Sequence, residues 1–140
     1  MIFGDKLLPK VLSGEKTVTR RPVKYMTITN GFADGTSQST TSANPCKYTV
    51  GRPYGVQPVI KEGPGKGRGG KAVARIRIKD VRREPLGEAE ALSEQELQLE
   101  GFASTLDMVA YWWSLYTNWK SDQLVDRIEF ELVSGGRGDE

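Results

Sequence analysis

The sequence predicts an α+β domain: a small mixed sheet or barrel with short helices at its flank. Three observations carry this expectation. Two strand-like runs, 71–85 and 124–133, lie far apart in the chain. Short helical segments with their own N-terminal caps fall between them. Strict alternation of strand and helix is missing, which argues against a doubly wound parallel sheet. At 140 residues the chain is expected to be one domain over 1–134, large enough to bury a core without disulfides or metal.

The first element is a short amphipathic helix over 5–13, DKLLPKVLS. Leu7, Leu8, Val11 and Leu12 recur at helical spacing. Pro9 falls in the first turn, where a missing N–H is tolerated, and Gly14 suits the helix end. SGEKTVTRRP follows at 13–22, with Pro22 pushing Arg21 toward an extended conformation. Residues 29–47, TNGFADGTSQSTTSANPCK, read as a polar loop insertion with little to bury. YTVGRPYGVQPV (48–59) reads as a short strand or two, interrupted at Pro53 and Pro58. The glycine-rich stretch 61–71 reads as a flexible basic loop.

The clearest strand is KAVARIRIKDVRREP (71–85). Ala72, Ala74, Ile76 and Ile78 point one way; Val73, Arg75, Arg77 and Lys79 point the other. Ser93 with Glu96 forms a capping box for a helix through about Leu99. Ser104 with Asp107 caps a second helix near 105–118, whose buried side is expected to carry Leu106, Val109, Ala110 and Trp113. LVDRIEFELV (124–133) closes the fold as a strand, with Leu124, Ile128, Phe130 and Leu132 inward and Arg127, Glu129 and Glu131 outward. Residues 135–140 are expected to be a disordered tail. Its Arg137-Gly138-Asp139 tripeptide matches an adhesion motif by letter only.

Composition excludes much chemistry. There is no histidine, so Ser-His-Asp triads, Cys-His pairs and His-ligated metals are ruled out. The single Cys46 cannot close an intrachain disulfide, which points to a reducing compartment. No long apolar run and no signal peptide at Met1 are evident. The expectation is a cytoplasmic, soluble monomer with no membrane partner, no metal and no cofactor. Acid-base work then falls to Lys, Asp, Glu, Tyr or Cys46.

Charge is strongly segregated. Residues 1–24 carry six basic and two acidic groups, and residues 61–83 carry nine and two. Residues 84–140 carry three and thirteen. The basic part suits phosphate-bearing partners; a solvated strand face beside a solvated helix face is the equally weighted alternative. The stretch 65–71 nearly spells a phosphate loop, but Ala72 stands where Ser or Thr would bind magnesium, and a strand follows where a helix is needed. A basic loop at the rim of a site fits better.

SGEKTVTRRP concentrates candidate chemistry. Lys16 and Thr19 are three residues apart. A lysine whose pKa is lowered by neighbouring cations can act as a base toward a hydroxyl. Arg20 and Arg21 are such neighbours, and either can also grip phosphate. A carboxylate is still needed to shuttle a proton. A basic turn that merely ends a helix is the plain alternative. Farther along, Tyr111, Trp112, Trp113, Tyr116 and Trp119 cannot all share one helix face. Core packing is the leading expectation for the set; the alternative is that Trp112 or Trp119 lines a cleft or stacks on a base.

Taken in order, the first helix, SGEKTVTRRP, YTVGRPYGVQP, KAVARIRIKDVRREPL, LSEQELQLEGF and YWWSLY resemble the ASCH domain of the PUA-like superfamily. Gly14, Lys16, Thr17, Thr19 and Arg21 match its loop signature, and Glu100-Gly101-Phe102 its second marker. The resemblance covers most of 1–133 and implies a small PUA-like β-barrel associated with RNA. One branch of that family hydrolyses the amide of N(4)-acetylcytidine. Carried over, the resemblance makes Lys16 the base, Thr19 the nucleophile and Glu100 the proton relay. The ligand-binding candidates are Arg20, Arg21, Tyr54, Gln57, Arg75, Arg77 and Trp112. The long insertion before strand 71–83 departs from that compact branch. Two other functions stay open: a non-catalytic RNA-binding module using Arg75, Arg77, Lys79 and loop 61–71, and a ribonuclease for single-stranded RNA that uses the same lysine.

Overall fold

The structure, a computed structural model, describes residues 1–87, 92–115 and 122–135. It contains strands β1 (Ile2–Phe3), β2 (Val18–Pro22), β3 (Tyr25–Gly31), β4 (Ser37–Ala43), β5 (Pro53–Pro58), β6 (Ala74–Pro85) and β7 (Leu124–Gly135). The helices are α1 (Leu8–Leu12), α2 (Glu94–Glu100) and α3 (Thr105–Leu115). A mixed five-stranded sheet runs β1-β5-β6-β7-β2, with β1 parallel to β5 and the other pairs antiparallel. This is the α+β architecture the sequence predicts.

The sheet curls until its two edges meet. β6 and β7 pair over their whole lengths, with irregularities at Arg75/Ile76 and Ile78/Asp80 that bend the ladder. At the seam, the Arg21 guanidinium of β2 donates to the Ile2 carbonyl of β1 at 2.7 Å and lies 5.5 Å from the Phe3 ring centroid. The Met1 ammonium donates to the Gly55 carbonyl, and the Gln57 N–H to the Met1 carbonyl, fixing the N-terminus along β5.

Two apolar clusters fill the fold. Inside the curl, Phe3, Val56, Ile76, Ile78, Ile128 and Phe130 pack with Val11 of α1. The alternation predicted for 71–85 holds for Ala74, Ile76 and Ile78, whereas Ala72 precedes the strand and is exposed. A second cluster joins Leu7, Leu86, Leu97, Phe102, Met108, Trp112 and Val125 beneath α2 and α3.

Three sequence expectations are corrected. Much of the 29–47 segment, expected as a loop, belongs to an antiparallel ribbon of β3 and β4, all of whose residues are exposed. Cross-strand hydroxyls hold it, Thr27 to Thr41 at 2.9 Å and Thr29 to Ser39 at 2.8 Å. Asp34 and Gly35 make its turn, Gly35 at φ 86° and the Asp34 carboxylate accepting from the Thr36 N–H. Helix α3 is rotated from its expected phase: Met108 and Trp112 are buried, while Leu106 is 76% and Trp113 54% exposed. Arg127, expected outward, is buried against α2. The continuation of α3 to 118, Tyr116, Trp119 and residues 136–140 lie outside the described residues. Among the described residues no helix is long and apolar enough to cross a membrane.

Candidate active site

The SGEKTVTRRP stretch is held on three sides by backbone hydrogen bonds. Gly14 leaves α1 at φ 83°, a conformation that favours glycine. The Lys16 N–H then donates back to the Lys10 carbonyl, and the Thr17 N–H to the Leu99 carbonyl at the end of α2. The Thr17 carbonyl accepts from the Phe130 N–H of β7. From Val18 onward the chain pairs with β7, setting Thr19 opposite Ile128 and Arg21 opposite Asp126.

Helix α2 brings the carboxylate. Its N-cap Ser93 accepts from the Glu96 N–H at 3.1 Å. Its C-terminus closes with Gly101 at φ 90°, the Gly101 N–H donating to the Gln98 carbonyl and the Phe102 N–H to the Leu97 carbonyl. A Cβ on Gly101 would come within 3.3 Å of Leu7 and Lys10 and 3.5 Å of the Lys16 Cβ. Glycine therefore serves both the turn and the close approach to Lys16. Lys10 Nζ donates to the Gly101 carbonyl at 2.6 Å, tying α1 to the same corner.

The result is a half-open cleft of about 290 Å³ at the seam of the curled sheet, walled by β1, β2, the end of α2 and α3. Lys16, Thr19, Arg20, Arg21 and Glu100 all line it, with Phe102, Tyr111 and Trp112 as aromatic wall. Lys16 is 1% and Glu100 2% exposed. The Lys16 amine donates to the Val18 and Glu100 carbonyls, not to a carboxylate. Burial pushes its pKa down from 10.5 to about 7; Glu100 opposes this, and Arg21, Arg20 and Lys10 assist it. A neutral amine has two hydrogens and one lone pair. Two carbonyls account for the hydrogens, and the lone pair is left to accept a proton.

Glu100 is held by Arg20, whose guanidinium donates to its carboxylate and, at 2.8 Å, to Glu96. Arg127 donates to both Glu96 oxygens, at 2.6 and 3.2 Å. Burial raises the Glu100 pKa, while Arg20 and Lys16 work against that rise. Arg127, then Arg20, hold the Glu96 carboxyl below its usual range against the opposing effect of burial. The two arginines and two glutamates lock α2 onto β2 and β7, which fixes Glu100 in the cleft. Among the described residues no group of three His, Cys, Asp or Glu side chains is placed to hold a metal.

The structure thus brings Lys16, Thr19, Glu100, Arg20, Arg21 and Trp112 together. Trp112, at 3% exposure, is a wall rather than an open stacking platform. Tyr54 and Gln57 do not line the cleft. The Tyr54 hydroxyl accepts from the Thr49 N–H while its ring packs edge-on against Tyr48, and Gln57 donates to the Gly70 carbonyl. Both sit on β5, next to β1 in the sheet, and serve the packing there. Arg75 and Arg77 lie exposed on the outer face of β6, away from the cleft lining. Sequence reasoning missed Glu96, Arg127 and Tyr111. Glu96 had a signal: it precedes Glu100 by four residues, so a helix puts both on one face.

No family model matches the sequence, and no curated protein matches it. Solved structures with similarity to this chain include the following two. One is the crystal structure of protein EF3133 from Enterococcus faecalis V583, family-model DUF984. It is 19% identical, with a TM-score of 0.50 over 94% of this chain and 72% of that one. The other is an ASCH domain from Lactobacillus crispatus JV V101, 16% identical, with a TM-score of 0.43 over 88% of this chain and 67% of that one. The likeness to the Enterococcus faecalis protein is one of fold alone.

Proposed function

We propose that this protein binds a nucleobase or nucleoside in the seam cleft and hydrolyses the amide of N(4)-acetylcytidine to cytidine and acetate. One observation carries the reading: a buried lysine with its pKa lowered to about 7 shares a cleft with a threonine and a buried glutamate. A base poised near neutral pH, a hydroxyl nucleophile and a proton relay are what histidine-free acyl transfer needs.

In this mechanism Thr19 Oγ attacks the acetyl carbonyl and its proton passes to Lys16 Nζ. The amide C–N bond breaks, and the leaving 4-amine takes that proton through Glu100. Water then attacks the acetyl-threonine ester, giving one proton to Lys16 and its hydroxide to the acetyl carbon. Acetic acid leaves and ionises to acetate in water, and the proton on Lys16 returns to Thr19. Arg20 orients Glu100. Arg21, at the rim, meets a polar group of the ligand.

The test is release of cytidine from N(4)-acetylcytidine, followed by chromatography, for wild type, Lys16→Ala and Thr19→Ala. Wild-type turnover that falls at least about a hundredfold in each folded variant supports the reading. No turnover by folded wild type overturns it.

A second reading rests on Arg75, Arg77 and Lys79, exposed in a row along β6. Such a row fits a non-catalytic RNA-binding face. Binding through phosphates falls steeply with salt, whereas turnover of a neutral nucleoside does not.

A further inference from the structure

A second, larger cavity of about 390 Å³ adjoins the first, and Arg21 lines both. Its walls include Lys24, Lys47, Tyr48 and Arg83. The stem of the β3–β4 ribbon forms one side, where the Asn44 N–H donates to the Lys24 carbonyl at 2.8 Å.

Its charge balance is lopsided. Arg83 grips Asp126 through two nitrogens, at 2.8 and 3.0 Å, so those charges cancel. Arg21, Lys24 and Lys47 have no carboxylate partner among the described residues. Arg21 meets a backbone carbonyl and the Phe3 ring, and Lys47 Nζ lies 5.2 Å from the Tyr48 ring centroid. Three cations line one concave site, and among the described residues no carboxylate pairs with them. Two of them act on the Met1 amine, which is lowered to about 6, first by burial and then by Arg21 and Lys47. Like charges held together this way favour a multiply charged anion, and an arginine fork with two lysines suits phosphate oxygens.

We infer that the cavity walled by Arg21, Lys24, Lys47 and Tyr48 binds a phosphate of the same ligand whose base enters the Lys16 cleft. The substrate class is then a cytidine nucleotide, free or within RNA, rather than the bare nucleoside. The inference rests on the proposed function for the place of the base; the phosphate site stands on its own geometry. Arg21, two residues along β2 from Thr19, forms the bridge between the reacting group and the anion.

The test is calorimetric binding of cytidine, cytidine 5′-monophosphate and a short single-stranded oligoribonucleotide to wild type and to Lys24→Ala/Lys47→Ala. Both lysines are exposed and outside the catalytic set. The monophosphate should bind about tenfold or more tighter than cytidine. The double variant should lose that preference while cytidine binding is unchanged. Oligonucleotide binding that is tighter still, with a steeper salt slope, identifies RNA as the source; equal binding identifies the free nucleotide. Equal affinity for cytidine and its monophosphate overturns the inference, as does a phosphate preference that survives the double substitution. So does failure of both phosphate ligands to bind. Because binding is read directly, a phosphate preference without deacetylation would refute the hydrolase alone. Deacetylation without the preference would refute this cavity alone.

Discussion

Replacing Lys16 with methionine keeps the length of the side chain and removes its titration. The wild-type folded state holds this lysine with a pKa of about 7, against 10.5 in an unfolded chain. Between those values the unfolded state binds more protons, so wild-type stability rises with pH at up to about 1.4 kcal/mol per unit. Below pH 7 both states are charged and burial costs about 5 kcal/mol; above pH 10.5 the cost is gone. The residue is 1% exposed, so solvent offers little screening. Urea unfolding of wild type and Lys16→Met at pH 7.5, 8.5 and 9.5 isolates this one group, because the other titrating groups are common to both proteins. The wild type should gain about 2–3 kcal/mol on the variant across that range. Methionine also leaves the Val18 and Glu100 carbonyls without their donor, a cost that does not vary with pH and so drops out of the slope. A difference that stays flat with pH refutes a neutral buried lysine and means the amine keeps its charge.

Glu96→Ala should destabilise by about 3 kcal/mol, read by urea unfolding, because it leaves Arg127 and Arg20 facing a vacated carboxylate site. Glu96 is held below its usual pKa of 4.5, so its contribution is present above pH 4.5 and should fade as pH falls below it. Trp112→Ala should cost about 3–5 kcal/mol and Trp113→Ala under about 1, since Trp112 is buried and Trp113 is exposed; the reverse order of costs would place the helix in its other phase. Replacing residues 27–41 by a short turn should shift Tm by under about 4 °C, because the ribbon buries none of its residues. A larger loss on thermal melting would show that the ribbon supports the core.

β6 and β7 were legible because a half-buried strand imposes a period of two, and Ile76, Ile78, Ile128 and Phe130 obey it. Arg127 breaks the rule for a tertiary reason: α2 covers that stretch of β7, and Glu96 compensates the buried charge. The β3–β4 ribbon was illegible as strand because it buries nothing, so no apolar alternation marks it. Only its Thr-rich facing positions hinted at pairing. The phase of α3 could not be chosen from the sequence, since apolar residues occupy both sides of that helix. Contacts with Leu7 and Phe102 decide it. The meeting of Lys16 with Glu100 spans 84 residues, and no local spacing encodes it. The family resemblance, not periodicity, put the two side chains in one site. Tyr54 and Gln57, expected at the ligand, lie outside the cleft lining, and their hydrogen bonds serve β5 and its neighbours.

Whether Lys16 acts as the base shows in the pH dependence of kcat/KM for N(4)-acetylcytidine between pH 5.5 and 9. If neutral Lys16 is the base, the rate rises with pH and levels off with a midpoint of about 7, the pKa that burial gives this lysine. Lys16→Met should abolish the rise together with the activity. Absence of turnover from folded protein, or a rate that ignores pH through that range, would contradict the account.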